Sequence, residues 1–192
     1  CITGRNEQLL VEMAERIRTK GVDCHPIVCD FSQTGNVRKA GEKILDISGN
    51  WDILVNNAGI AKKIPLTDIR EEDWDEILTV NLKSAFILSQ IILPGMIKRK
   101  WGKIINISSL GSFYGTPGMG AYAVSKAGLN QLTRTMAAEF GKHNIQVNAI
   151  CPTIVLTDMA RDIWDTDENK DLRDAMLSKI PAKRFGEPED VA

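Results

Sequence analysis

The sequence predicts an α/β fold built on a parallel sheet, and three observations carry that expectation. Short apolar segments of strand length alternate with longer segments at helical spacing, the pattern of a sheet covered by helices on both faces. The clearest short segment, Asp52-Ile53-Leu54-Val55, is a β-branched apolar run without polar alternation, as in a buried parallel strand. Turn formers punctuate the chain: Gly21 ends one helical run, and Asn56-Asn57-Ala58-Gly59 stops the apolar strand abruptly.

Each element follows in order. Residues 6–20 place Leu9, Leu10, Met13 and Ile17 at helical spacing, and a strand is expected around residues 24–29. A second helix is expected near 36–47, followed by the strand 52–55. A long helix is predicted over Glu71–Arg99, interrupted or bent near Pro94-Gly95 because proline lacks the N–H that a helix interior uses. Strand 103–107, helix 121–142 and strand 145–150 come next, then a polar, acidic helical excursion over 162–180. The chain carries no internal repeat, linker or low-complexity segment, so one domain spanning residues 1–192 is expected.

Composition narrows the function. With 43% hydrophobic residues in 192, the chain can bury a substantial core without disulfides or metals. Charges nearly cancel, 24 Lys+Arg against 25 Asp+Glu, which excludes a broad attraction to nucleic acid or an anionic membrane. Cys1, Cys24, Cys29 and Cys151 show no C-x-x-C spacing, which argues against a zinc site and for a reducing, cytoplasmic setting. No apolar run approaches the roughly 20 residues needed to cross a bilayer, and the N-terminus lacks the layout of a signal peptide. His25 and His143 have no carboxylate or ligand partner at a supporting spacing and read as surface residues.

The chemistry concentrates in four places. Tyr122 and Lys126 lie four residues apart in a predicted helix, so both project from one face. A cation near a phenol lowers its pKa from about 10 toward neutrality, which suits an acid–base pair; a chance helical spacing is the plainer reading. Ser109 follows the strand at 103–107, at the edge where ligands collect in such sheets; a loop or cap serine is its plainer reading, as for Ser108. Asn81 sits inside the long helix, where asparagine is a mediocre helix former, and otherwise reads as an exposed or helix-bending residue. Asn56-Asn57-Ala58-Gly59 is the fourth signal.

In that order, these signals resemble the short-chain dehydrogenase/reductase family over essentially the whole chain. The resemblance implies a Rossmann-like, doubly wound parallel sheet and an oxidoreductase that transfers a hydride between NADP(H) and a small carbonyl or alcohol. Asn81, Ser109, Tyr122 and Lys126 match the family's catalytic tetrad. Ser109 would bond the substrate oxygen and Tyr122 would exchange its proton with it. Lys126 would lower the tyrosine's pKa and hold the nicotinamide ribose, and Asn81 would anchor a water-linked proton path. By the same resemblance Asp30 and Phe31 would contact the adenine and Asn57 the nucleotide, while Val155 and Thr157 would approach the nicotinamide. Without the resemblance, Asp30 reads equally well as a helix N-cap. Gly4-Arg5 stands where NAD-preferring members carry an acidic residue; arginine suits a 2′-phosphate, so NADP is expected, with NAD also possible.

Two departures shape the expectation. Pro152-Thr153 replaces the usual Pro-Gly, as in a branch resembling xylulose and carbonyl reductases, which points to a small sugar or polyol. Residues 110–114 and 159–180, with Trp164, should border the substrate. The sequence also starts at the family's second strand and stops before its last, so it is expected to lack the first strand, the Gly-rich turn, the first helix and the final strand. The long helices that bear Asn81 and Tyr122 match those that pair between subunits, so a homodimer or homotetramer is expected. The rival readings are a catalytically inactive fragment, a non-catalytic Rossmann-like binding protein, and a sugar-nucleotide epimerase or dehydratase. Asn81 and Asn56-Asn57-Ala58-Gly59 speak against the last.

Overall fold

Residues 1–157, 160 and 170–192 are described by a computed structural model of the chain. Five parallel strands alternate with helices: β1 (Ile2–Gly4), α1 (Glu7–Arg18), β2 (Pro26–Val28), α2 (Thr34–Ile47), β3 (Ile53–Asn56), α3 (Glu71–Leu78), α4 (Ser84–Arg99), β4 (Gly102–Ile107), α5 (Gly120–Phe140), β5 (Ile145–Ile150) and α6 (Lys170–Lys179). The parallel α/β class follows from these pairings. β1 pairs with β2, and β3, β4 and β5 form a second sheet with Leu54 opposite Ile104 and Ile104 opposite Val147. The expected excursion over 162–180 falls partly outside the described residues, as do Met159 and Trp164; only its end, α6, is seen.

Sequence explains where the elements begin. Asn6 opens α1 by accepting the Leu9 N–H at 3.1 Å, a side-chain cap for a donor that has no partner within the helix. Glu71, Glu72 and Asp73 fill the first turn of α3, where negative charge complements the helix dipole. On α1 the face that packs is Leu10 and Ala14, while Leu9 and Met13 stay 60% and 42% exposed. The apolar set at helical spacing is therefore wider than the face used, because α1 covers only the narrow β1–β2 pair.

The long helix differs from expectation in where it deviates. Pro94 lies inside α4 without ending it, and the irregular turn is a π-helical one over Thr79–Lys83, with the Ser84 N–H reaching the Thr79 carbonyl. That turn joins α3 and α4 into one run, Glu71–Arg99, which by length and composition alone could cross a membrane, although charged residues interrupt it and no apolar run within it approaches the size expected of a span. It is a core helix: Val80, Ala85, Ile87, Leu88, Ile92, Leu93 and Met96 are buried. They pack with Val37 and Ile44 of α2 and with Ile104, Ile145 and Val147 of the sheet. Each such side chain gains roughly 1.5–3 kcal/mol by leaving water.

The sheet is not continuous. Among the described residues nothing pairs with the outer edge of β3, and Ile53 and Val55 are 51% and 52% exposed there. A cavity of about 540 Å³ lies between β1 and β3.

Gly102, at the start of β4, meets Met96 of α4 so closely that an added Cβ would lie 2.9 Å from the Met96 Cβ. Met96 is fully buried and cannot swing out. Gly102→Ala is expected to cost about 1–3 kcal/mol and to lower Tm by roughly 3–10 °C in a thermal melt.

Candidate active site

The site forms where the C-terminal ends of β3 and β4 meet α5, the edge at which open parallel sheets bind ligands. Asn81 is buried on the π-helical turn. Its Oδ1 accepts the Ile60 N–H at 2.8 Å, and its Nδ2 donates to the Ile60 carbonyl at 2.9 Å and to Ser125 Oγ at 3.0 Å. The side chain is thus a clamp between the loop after β3 and α5, neither exposed nor solvent-seeking. Ser125 in turn donates to the Tyr122 carbonyl at 2.7 Å.

Lys126 is 4% exposed, and its Nζ donates to the Ile107 carbonyl at 2.7 Å. The same nitrogen lies 5.8 Å from the centre of the Tyr122 ring. Burial pulls its pKa down from 10.5 to about 8, against a smaller opposing effect from Cys151. A Cβ on Gly59 would stand 3.4 Å from Lys126 Nζ and 3.5 Å from Asn81 Oδ1, so glycine leaves room directly over this pair.

Ser109, not Ser108, takes the cap position that the sequence left open, at the start of the 3₁₀ turn Leu110–Ser112. Ser108 is buried and donates to the Lys126 carbonyl at 3.1 Å. Ser109 is half-buried, and its Oγ accepts the Gly111 N–H at 3.1 Å, which leaves the hydroxyl proton to be donated elsewhere. A Cβ on Gly111 would lie 3.4 Å from Ser109 Oγ and 3.8 Å from Tyr122 Cε1, so the serine hydroxyl and the tyrosine ring flank one glycine.

The cavity between β1 and β3 is walled by Arg5, Asp30, Phe31, Asn57 and Gly59, and Asn81 lies at its inner end. Ser109, Tyr122 and Lys126 stand outside that wall, next to Gly59 or beyond it. Asp30 accepts the Ser32 N–H at 3.0 Å and so caps a turn, while Gln33 takes the N-cap position of α2. The hydrogen bonds from Ser32 hold the Asp30 carboxyl below its ordinary pKa, with a smaller contribution from Arg5. Phe31 is a core residue with a cavity-facing edge. Val155 and Thr157 are not in the cavity wall: Val155 bridges to Gly186, and the Thr157 N–H bonds the Val155 carbonyl.

Several supporting groups were not singled out by sequence, and one residue of the Asn56–Gly59 signal has a structural part. Asn56, Asn106 and Thr133 form a buried chain, with Asn56 Nδ2 donating to Asn106 Oδ1 at 2.8 Å and Asn106 Nδ2 to Thr133 Oγ1 at 2.8 Å. Asn56 Oδ1 has no partner, although the residue is 8% exposed and borders the cavity. Burial first, and Asp30 second, push the Cys29 thiol up to about 11, so it is no nucleophile. Arg70 and Lys62 hold Asp73 down at about 2, tying the loop after β3 to α3. Among the described residues no cluster of His, Cys, Asp or Glu could hold a metal.

A nicotinamide dinucleotide fits these groups. Gly59 keeps the Lys126 amine within 3.4 Å of where a Cβ would stand, and Arg5 supplies a cation near Asp30.

Lys126 gives a stability prediction with a definite sign. An unfolded lysine stays protonated up to about 10.5, so between about 8 and 10.5 the unfolded state binds more protons and stability rises with pH. Below about 8 the penalty for burying the ammonium is fully present. Lys126→Met should stabilise the nucleotide-free protein at pH 7, by on the order of 3 kcal/mol less the lost bond to Ile107, and the gain should shrink toward pH 10.5. Urea unfolding at pH 7 and pH 10 measures it; a variant less stable at pH 7 contradicts the account.

The chain is similar to known proteins along its whole length. A family profile described as short chain dehydrogenase matches residues 1–168. A 3-oxoacyl-[acyl-carrier-protein] reductase of Thermotoga maritima is 40% identical over 191 residues, spanning 100% of this chain and 74% of the relative. The crystal structure of a gluconate 5-dehydrogenase from Burkholderia cenocepacia, in complex with NADP and tartrate, superposes with a TM-score of 0.86 at 34% identity. That match covers 97% of this chain and 72% of the other. An NAD⁺-bound xylitol dehydrogenase superposes at 0.89 with 27% identity, covering 98% and 77%. The chain belongs to the short-chain dehydrogenase family and is an NAD(P)-dependent oxidoreductase.

Proposed function

We propose that the chain transfers a hydride between NADP(H) and a small carbonyl or alcohol at the junction of β3, β4 and α5. One observation carries the reading: Asn81, Ser109, Tyr122 and Lys126, distant in sequence, gather around Gly59 and Gly111 at the ligand-binding edge of the sheet. When bound, the nicotinamide supplies or accepts the hydride. Ser109, whose oxygen is already occupied by the Gly111 N–H, donates its proton to the substrate oxygen and orients it. Tyr122 delivers a proton to that oxygen in reduction and takes one in oxidation. Lys126 brings its buried amine to 5.8 Å from the centre of the Tyr122 ring and would hold the ribose. Asn81 keeps the loop after β3 and α5 in register, so the glycine over the lysine stays open.

Arg5, Asp30, Phe31 and Asn57 are assigned to the adenosine half from the cavity wall they share. Val155 and Thr157 are assigned to the nicotinamide side by resemblance alone. NADP is the preferred cofactor, with NAD as the lesser one, because Arg5 presents a cation where a 2′-phosphate needs it. A small sugar or polyol is the preferred substrate, in keeping with the gluconate 5-dehydrogenase and xylitol dehydrogenase similarities. A 3-oxoacyl thioester is the second reading, favoured by the 40% identical relative. The protein is further assigned to the cytoplasm, with four free cysteines, and to a homodimer or homotetramer, with Phe86 of α4 and Val124 of α5 presenting exposed apolar surface.

Tyr122→Phe in the native protein should lower kcat by about 10²–10⁴-fold while NADPH affinity, read by fluorescence titration, stays nearly constant. Retention of most turnover overturns the assignment. Arg5→Ala should narrow the preference for NADPH over NADH by about ten- to a hundredfold in dissociation constant, and equal constants in the unmutated protein refute the cofactor choice. Turnover with keto-sugars against 3-oxoacyl thioesters decides between the two substrates.

A further inference from the structure

A chain of side chains unused by the mechanism runs from the end of β5 to the backbone of Ser109. The Cys151 thiol lies 3.6 Å from Asn130 Oδ1, Asn130 Nδ2 donates to Ser112 Oγ at 2.7 Å, and Ser112 Oγ donates to the Ser109 carbonyl at 2.6 Å. The Ser112 N–H reaches the same carbonyl at 3.1 Å. Every member points one way. The Cys151 thiol faces the Asn130 oxygen, and the Asn130 N–H reaches Ser112. Ser112 Oγ accepts that hydrogen bond and donates its own hydrogen to the Ser109 carbonyl. Asn130 is 6% exposed on α5, two turns beyond Tyr122, so it is anchored to the same rigid helix that carries the tyrosine.

We infer that Asn130 and Ser112 are positioning residues that fix the Ser109 hydroxyl relative to the Tyr122 hydroxyl. The inference rests on the function proposed above. Ser109 caps a 3₁₀ turn, Leu110–Ser112, that packs against α5 and is followed by an exposed stretch at Phe113 and Tyr114. The Leu110 N–H bond to the Pro152 carbonyl ties it to the segment after β5, and the Asn130–Ser112 link ties it to α5. Without the second tie, the turn keeps its own backbone bonds but loses the side-chain link that sets its position on α5, and Ser109 can shift relative to the tyrosine. Two groups that must meet one substrate oxygen lose rate steeply with small displacements, because the aligned geometry is what replaces a bimolecular encounter.

The test is a mutant cycle on the native protein with NADPH and a reducible carbonyl, read as kcat, KM and amide hydrogen exchange of residues 109–113. Ser112→Ala should lower kcat about tenfold with little change in nucleotide KM, Ser112→Thr should keep kcat within about twofold, and exchange should quicken in the alanine variant only. In a Ser109→Ala background, Ser112→Ala should add no further loss. A merely structural role would lower rates equally in both backgrounds. Asn130→Ala should reproduce Ser112→Ala, and where it fails to fold the Ser112 pair stands as the measurement. Full kcat in Ser112→Ala, or an undiminished effect in the Ser109→Ala background, overturns the inference alone. A harmless Ser109→Ala overturns the proposed function and this inference together.

Discussion

The carboxamide of Asn81 joins three segments that the sequence keeps far apart: the π-helical turn it stands on, the loop after β3 through Ile60, and α5 through Ser125. All of its hydrogen-bonding groups lie in a buried setting, where each broken bond would leave a polar group stranded at about 1–3 kcal/mol. That cost makes the arrangement nearly discrete. The π turn is part of the same constraint, since one extra residue in the helical turn brings the carboxamide to Ile60 instead of leaving it on the helix surface. With the loop pinned, Gly59 is held over Lys126, and with α5 pinned through Ser125, the Tyr122 carbonyl is fixed as well.

Such a site opposes stability where it is built. Lys126 is an ammonium kept in a dry setting, and Asn56 leaves a carbonyl oxygen unpaired at the cavity edge. Both are tolerated because the surroundings are over-determined. Val37, Ile77, Ile87, Met96, Ile104 and Leu129 are essentially inaccessible, and the Asn56–Asn106–Thr133 chain pairs most of the polar groups that the strands present to the helices.

The α/β class, the parallel pairing and the order of elements were legible from apolar run length and turn residues alone. The tetrad needed joint order, because Tyr122 with Lys126, or Ser109 by itself, is weak evidence. What stayed hidden has physical reasons. Proline at 94 looked like the natural place for a helix to break, yet the deviation sits at Thr79–Lys83, where Asn81 was read as a possible bend and its tertiary bonds draw the turn out of the regular helix. The exposed Leu9 and Met13 could not be told from Leu10 by spacing, since the width of the surface beneath α1 is a property of the sheet. Ser112, Asn130 and Cys151 are 39 residues apart at the extremes, and the bonds linking them exist only once β5 lies beside β4.

The end of β4 shows why register, more than any single residue, decides whether the site exists. Successive residues there serve different neighbours: Asn106 bonds Asn56 on β3 and Thr133 on α5, the Ile107 carbonyl receives Lys126, Ser108 bonds the Lys126 carbonyl and the Ile150 carbonyl, and Ser109 turns toward Tyr122. Side chains alternate faces along a strand, so a slip by one residue would bury Ile107 among the amides, send Asn106 to the opposite face and carry Ser109 away from the tyrosine. The pairing of Ile104 with Leu54 and Val147 resists that slip by placing the apolar core on one layer across three strands. Hydrophobic register in the sheet's interior thus fixes polar geometry at its edge, and the chemistry is positioned by residues that take no part in it.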